Sequence, residues 1–291
     1  MAAHEPVLLA ETLELLAVRA GAFYVDGTVG QGGHAEEILR RSAPDGRLLA
    51  SDRDPEAVAA ATARLRPYAD RARLVHADYR ELPARLEAER PDGILLDLGL
   101  SSAQLDDPER GFSFQVDGPL DMRMDQTGGE TAADVVNRLP EPDLADLIYR
   151  FGEESSSRRI ARAIVSARRT SRIRTTSELA AIVRRAAGRP RPGLNPATRT
   201  FQALRIRVNR ELQGLGEAVA ALARCLAPRG RLAVIAFHSL EDREVKQAFR
   251  GLEKEGFRRL TKKPLRPSGE EVRRNPRARS ARLRGLEREA A

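Results

Sequence analysis

In the first hundred residues, four short apolar runs each end in an aspartate. Ala22-Phe23-Tyr24-Val25 stops at Asp26, Arg47-Leu48-Leu49-Ala50-Ser51 at Asp52, Arg73-Leu74-Val75-His76-Ala77 at Asp78, and Ile94-Leu95-Leu96 at Asp97. Helical patterns separate them: Ala35–Ser42, Pro55–Leu65 with proline at its first turn, and Glu81–Glu89. Strands alternating with helices imply a parallel sheet with both faces covered. Ligands of such sheets bind in the crevice outside the carboxyl ends of the strands. A row of acids there suits a ligand rich in hydroxyls, amines and positive charge, such as S-adenosylmethionine (SAM). It suits a polyphosphate poorly, except where backbone N–H groups do the binding.

The segment Asp26-Gly27-Thr28-Val29-Gly30-Gln31-Gly32-Gly33-His34 hands the first strand to a helix. Glycine allows positive φ and close approach of a ligand to the backbone. The helix start adds N–H donors that hold a carboxylate or a phosphate. Gly30 to Ala35 also fits the loose dinucleotide pattern, with Asp52 at a suitable distance for a ribose hydroxyl. A ligand-free turn, an NAD-dependent dehydrogenase and a SAM enzyme all remain open at this point.

The strand rhythm then stops. From about Leu105 to Thr200 no convincing strand is found. A loop from Asp106 to Gly129 leads to helices near Leu144–Phe151 and Ser157–Arg168, and to a third after Thr175, whose spacing to Glu178 predicts a capping box. A Pro/Gly/Arg loop, Gly188 to Pro196, closes the section. Apolar residues from Phe201 to Leu226 recur at helical spacing and predict one long helix. Arg231–Phe237 predicts strand five, Glu241–Arg250 a helix, and Phe257–Leu260 and Ala281–Glu287 two last strands, the final one antiparallel. The expected fold is α/β, a Rossmann-like sheet domain of residues 1–105 and 201–291 carrying an inserted all-helical domain of residues 106–200.

At 291 residues the chain can bury a substantial core. No apolar run approaches the roughly 18 residues of a membrane span. The start, Met1-Ala2-Ala3-His4-Glu5-Pro6, lacks a basic region followed by an apolar one, so a cytoplasmic location without a secretory leader is expected. One cysteine, Cys225, excludes a disulfide framework and is expected to be a buried, inert thiol. Four histidines without ligand spacing make no case for a metal. The net charge is +8, and basic residues gather late, at Arg258-Arg259, Lys262-Lys263, Arg273-Arg274, Arg277, Arg279, Arg282 and Arg284. Clustered positive charge is an electrostatic footprint for nucleic acid.

Taken together, several stretches resemble the RsmH (MraW) family of ribosomal RNA small-subunit methyltransferases, almost end to end. They include His4-Glu5-Pro6-Val7-Leu8-Leu9, Asp26-Gly27-Thr28 through Gly32-Gly33-His34, and Asp52-Arg53-Asp54-Pro55. The densest runs from Asp92 to Ser102 and on to Gln104-Leu105-Asp106-Asp107. Others are Arg110-Gly111-Phe112-Ser113-Phe114, Asp117 to Asp125, Asn195 to Ala203, Phe237 to Arg243 and Asn275 to Ser280. The resemblance implies a class I SAM-dependent methyltransferase that modifies the N4 of one cytidine in 16S rRNA, in the P-site region of the decoding centre. It implies SAM contacts at Gly32, Gly33, His34, Asp52, Tyr79, Asp97 and Gln104. Tyr79 stands where relatives often carry Phe, which keeps the ring for stacking on adenine.

The partner implied is 16S rRNA or the small ribosomal subunit, with no membrane; a homodimer stays open. The cytosine amine is a poor nucleophile, so an acceptor aimed at its N–H would help. Ser101, Asp117, Asp121 and His238 are candidates by location, with His238 equally readable as a structural histidine. The Asp/Ser/Asn-Pro-Pro-aromatic motif of DNA amino-methyltransferases reads Asp97-Leu98-Gly99-Leu100 here, so the catalytic acceptor is unassigned. The rival readings are a SAM enzyme for another RNA or a protein, the dehydrogenase, and a non-catalytic RNA-binding protein.

Overall fold

The computed structural model describes residues 6–187 and 195–290. His4, Glu5 and most of the Gly188–Pro196 loop lie outside them. The chain divides into two compact units, Met1–Gly99 with Gly214–Ala291, and Leu100–Gln213.

The first unit is built on seven strands: β1 (Phe23–Asp26), β2 (Arg47–Asp52), β3 (Ala72–His76), β4 (Gly93–Asp97), β5 (Arg231–Ala236), β6 (Phe257–Arg259) and β7 (Arg282–Arg288). They form one sheet in the order β3-β2-β1-β4-β5-β7-β6. Strands β1 to β5 pair in parallel, and β7 runs antiparallel to both neighbours. Every residue of β1 is buried, as is nearly all of β4 and β5. That is why these strands read as continuous apolar runs rather than alternating ones. One face packs against Leu13, Leu16, Ile38, Leu39, Ala61 and Leu65 of the flanking helices.

The strand order decides where a ligand can sit. From β1 the chain steps outward to β2 and β3, then returns to lay β4 on the other side of β1. The reversal opens a crevice beyond the carboxyl ends of β1 and β4, the topological switch point of an open α/β sheet. Asp26 and Asp97 are the last residues of those two strands.

Three of the four aspartates terminate strands as expected. Asp78 does not: β3 ends at His76, and Asp78 caps the turn Tyr79–Glu81 with Glu81 completing a reciprocal capping box. The single long helix expected from Phe201 to Leu226 is two helices, Ala197–Asn209 and Leu215–Cys225. The break falls at Arg210 (φ 51°) and Gly214 (φ 68°), both left-handed, and apolar spacing alone does not register such a break. Cys225 is half-buried rather than enclosed.

The second unit contains helices Ser102–Asp106, Ala132–Arg138, Glu141–Gly152, Ser157–Thr170, Thr176–Ala187 and Ala197–Asn209. Among its described residues the only extended pairing is the isolated Pro119–Thr175 bridge. The Thr175–Glu178 capping box forms, with each backbone N–H donating to the other side chain. Apolar residues from each of the longer helices meet in one core, including Val135, Ile148, Ile164, Val183 and Leu204. The loop before Ala132 is part of it: Phe112, Leu120, Met122 and Met124 are all buried there. Phe114 meets Phe201 edge to face at 4.8 Å.

Two buried polar side chains hold that loop. The Arg110 guanidinium donates to the Met124 carbonyl at 2.6 Å. Asn209 donates to the Met122 carbonyl at 2.7 Å and accepts from the Met124 N–H at 2.8 Å. Asn209→Ala strands both backbone groups away from water, each loss costing about 1–3 kcal/mol. Urea unfolding is therefore expected to show a destabilisation of roughly 2–4 kcal/mol; a change below about 0.5 kcal/mol, within the range of surface substitutions, would show that the loop does not depend on this residue.

Candidate functional site

The turn after β1 is shaped by what cannot fit there. A side chain at Gly27 would come within 2.6 Å of Leu96 Cδ2 and 3.0 Å of Tyr79 Cβ, so only glycine allows the backbone this close to β4 and the Tyr79 turn. Gly30 (φ 50°) and Gly32 (φ 80°) take left-handed conformations, and Gly32 caps the helix Gly33–Arg41. Gly30 N–H donates to Asp52 Oδ2 at 2.9 Å, and Asp54 N–H donates to Asp52 Oδ1 at 2.9 Å. Asp52 thus links the end of β2 to the glycine turn while both oxygens keep lone pairs to spare.

Asp26 is enclosed and accepts the Thr28 N–H at 3.1 Å. Burial, with some help from the Asp52 charge, raises its pKa to about 7. Asp97 is held by its own backbone, whose N–H donates to Thr28 Oγ1 at 2.6 Å. Its Oδ2 lies 3.7 Å from Nδ1 of His34, and its buried Oδ1 has no hydrogen-bond partner among the described residues. Burial first, then the charges of Asp26 and Glu241, push the Asp97 carboxyl well above the usual range. His34 Nε2 is 3.0 Å from the Val7 carbonyl, which fixes that nitrogen as the protonated one and leaves Nδ1 facing Asp97 in the neutral ring.

Six of the seven expected cofactor residues, Gly32, Gly33, His34, Asp52, Tyr79 and Asp97, belong to the first unit, at or just beyond the carboxyl ends of its strands. The Tyr79 ring is buried, and the Arg80 guanidinium lies 4.6 Å from its centre, so one ring face is already taken. Gln104 belongs to the second unit, in a reciprocal capping box with Ser101 at the start of helix Ser102–Asp106.

All four acceptor candidates have structural duties. Ser101 is that helix cap. Asp117 accepts the Ser177 N–H at 3.0 Å at the start of helix Thr176–Ala187, and hydrogen bonds from Ser177 lower its pKa. Asp121 forms a two-pronged ion pair with Arg123 at 2.8 and 2.7 Å. His238 caps helix Ser239–Leu252, its Nδ1 accepting the Glu241 N–H at 3.3 Å. Residue-level reasoning missed Glu241, which is 2% exposed, accepts the Phe237 N–H at 2.9 Å and contributes to the field at Asp97 and Tyr79. Its signal was the His238 to Glu241 spacing, which matches a capping box.

Among the described residues no arginine or lysine forms an ion pair with Asp26, Asp52 or Asp97. The Arg53 charge acts on Asp52; Asp26 and Asp97, whose pKa values are raised with no arginine or lysine offsetting them, favour a ligand that brings its own positive charge.

The model of the MraW methylase family matches residues 1–289. Ribosomal RNA small subunit methyltransferase H of Thermomicrobium roseum is 51% identical, covering 98% of this chain and 93% of the relative. The proteins of the same name from Syntrophobacter fumaroxidans and Syntrophus aciditrophicus are 52% and 50% identical, each over 98% of this chain and over 96% and 97% of their own lengths.

The raised pKa of Asp26 has a definite sign for stability. The folded state holds a proton to about pH 7, against 3.8 for the ordinary carboxyl. It therefore binds more protons than the unfolded chain through that window, and stability falls as pH rises through it. Without ligand the protein is expected to melt at a higher temperature at about pH 5.5 than at about pH 8. Asp26→Asn should reduce the difference; an unchanged pH profile in that variant would remove Asp26 as its source.

Proposed function

We propose that this chain, which belongs to the MraW methylase family, is a SAM-dependent methyltransferase of small-subunit ribosomal RNA and that its target is the exocyclic N4 of one cytidine in the P-site region of the decoding centre. The rRNA activity is supported by identity of about half over nearly the whole length of relatives named for it. The observation in this chain that carries the cofactor is the pair of carboxylates at the switch point between β1 and β4, buried Asp26 and half-buried Asp97, neither of which forms an ion pair with an arginine or lysine among the described residues. The cytidine N4 rests on the residue stretches shared with the RsmH family.

The residues fit SAM. When bound, SAM supplies a methyl group on a positively charged sulfur. Asp52, its oxygens oriented by the Gly30 and Asp54 N–H groups, is suited to ribose hydroxyls. Gly32 and Gly33 present backbone without Cβ at the start of a helix, where N–H donors favour a carboxylate. His34 and Asp97 are assigned to the cationic end, where the unpartnered Asp97 Oδ1 meets an ammonium or sulfonium without an added counter-ion. Tyr79 offers its remaining ring face to adenine, and Gln104 stays a cofactor candidate on the RsmH resemblance alone. A pyrophosphate would meet these same carboxylates with repulsion, which disfavours the dehydrogenase reading.

For the transfer, the protein's work is to hold the amine in line with the methyl carbon and to keep water out. A cytidine amine inside a duplex is stacked, so the enzyme must take a single-stranded or extruded base. The second unit, Leu100–Gln213, is assigned to RNA recognition. The late basic segment is assigned to phosphate contacts through Arg273, Arg274, Arg277 and Arg279, which are all exposed. Arg284 is set aside from that role: it is buried and paired to Asp242 at 2.6 Å.

Small subunits incubated with enzyme and labelled SAM are expected to gain one methyl group that mass mapping locates on a cytidine N4. Methylation of another base or position would overturn the finer target, and label only on protein would overturn the RNA substrate. Asp52→Ala should weaken SAM binding by at least about tenfold, or ~1.4 kcal/mol, in calorimetry with no loss of fold; equal affinity would take Asp52 out of the site. Neutralising Arg273, Arg274 and Arg277 together should weaken rRNA binding, lower the log–log salt slope by about 0.7–0.9 per lost phosphate contact and leave SAM affinity intact. An unchanged slope would make the segment structural only.

A further inference from the structure

Helices Ser157–Thr170 and Thr176–Ala187 of the second unit enclose an open groove of about 520 Å³. Its floor is apolar, made by Ala163, Ala167, Ile182 and Ala186, and three arginines, Arg159, Arg162 and Arg185, line it with Ser166. The volume falls in the range of small-molecule clefts, roughly 300–1,000 Å³. All three arginines are exposed. Arg162 reaches Glu141 only at 3.5 Å with its side chain 78% exposed, and Arg159 contacts the neutral Ser156 hydroxyl at 3.3 Å.

The charge around the groove is one-sided. Helix Ser157–Thr170 carries Arg158, Arg159, Arg162, Arg168 and Arg169 and no acidic residue. Core packing does not require this, because that helix buries its opposite stripe, Ile160, Ala161, Ile164 and Val165. The three alanines of the floor leave room for a flat group beside the helices, and the three exposed arginines line the groove. Guanidinium planes both pair with phosphate oxygens and stack on bases. A concave apolar floor among guanidinium groups matches a nucleotide, with its ring on the floor and phosphates at the rim.

We propose that this groove binds a single-stranded segment of the RNA substrate, with Arg159, Arg162 and Arg185 contacting successive phosphates and one unstacked base lying on the Ala163–Ala167–Ile182–Ala186 floor. The proposal rests on the reading of the chain as an rRNA methyltransferase and adds where on the second unit the RNA is held.

The test uses the full chain and three triple variants, in which Arg159, Arg162 and Arg185 are replaced together by Gln, by Lys or by Glu. A fluorescein-labelled single-stranded oligonucleotide copying the decoding-centre strand reports binding by anisotropy across a salt series. The Gln variant is expected to bind about tenfold more weakly, with a salt slope lower by up to about 2, from roughly 0.7 per phosphate on a single strand. The Lys variant should keep most of the slope, and the Glu variant should bind more weakly than the Gln variant. Calorimetry with SAM should give the parent's affinity in all three, which also shows that they are folded.

Parent affinity and slope for RNA in the Gln and Glu variants would overturn the groove as an RNA site. So would a groove that holds polyglutamate as tightly as the oligonucleotide, which would make it a surface for acidic protein. Methyl transfer by the parent enzyme is measured beside these. If the parent methylates small subunits while the variants bind RNA normally, only the groove fails; if the parent transfers no methyl group to RNA, the functional reading fails first.

Discussion

Carboxylates gathered at the strand ends, with no arginine or lysine paired to Asp26 or Asp97 among the described residues, are the feature on which the first unit turns. Asp26 and Glu241 are buried, Asp52 and Asp97 are half-buried at the ends of their strands, and the charges of Asp26 and Glu241 act against ionisation of Asp97. Such an arrangement opposes folding, since burial and mutual repulsion disfavour the charged forms of Asp26 and Asp97. It persists because the surrounding sheet fixes it. Asp26 and Asp97 are strand ends, and the Asp97 backbone is tied to Thr28 in the turn after β1. The strands carrying Asp26 and Asp97 are among the most buried of the molecule, and Asp26 is enclosed at the end of its own, while Asp97 keeps a partly exposed side chain. A ligand carrying positive charge would relieve the mutual repulsion of such carboxylates.

Much of this was legible in the sequence because a doubly covered parallel sheet writes an unusually clear pattern. Residues 22–26 and 93–97 read as strands because both of their faces are buried, and the acid after each apolar run marked the carboxyl end. The antiparallel last strand was legible as well. The details that escaped are those decided by single backbone angles or by polar groups with local partners. Asp78 looked like a fourth strand end, yet a capping box with Glu81 claims it; an aspartate ahead of a helix has the same appearance in either role. The helix break between Asn209 and Leu215 needed only two left-handed residues, and a hydrophobic stripe runs across such a break without losing its spacing.

The candidate acceptors show the same limit. Ser101, Asp117, Asp121 and His238 are candidates by their location in the sequence. Those are also the places where helix starts need caps, and all four are occupied with caps or an ion pair. Glu241 escaped for the opposite reason: as the third residue of a capping box it looked routine, although its burial makes its charge felt at Asp97. Position in sequence identifies which end of the sheet a polar residue serves, whereas its hydrogen-bond partners decide whether it has capacity left for a ligand.

The place of β7 in the sheet has a consequence for how the chain is made. It lies between β5 and β6, although both precede it in the sequence. Until residues 282–288 have been synthesised, β5 presents an unpaired edge and β6 has no strand beside it. Domains generally fold from the N-terminal side during synthesis, and the parallel core β1–β4 is complete long before that point. The nascent protein therefore passes through a stage with a formed crevice and an open sheet edge, the kind of edge that recruits strands from other chains. The insertion of β7, which buries Leu283 and Leu286, ends that exposure, so the step most open to chaperone protection or to misassembly is the last in the sheet's construction.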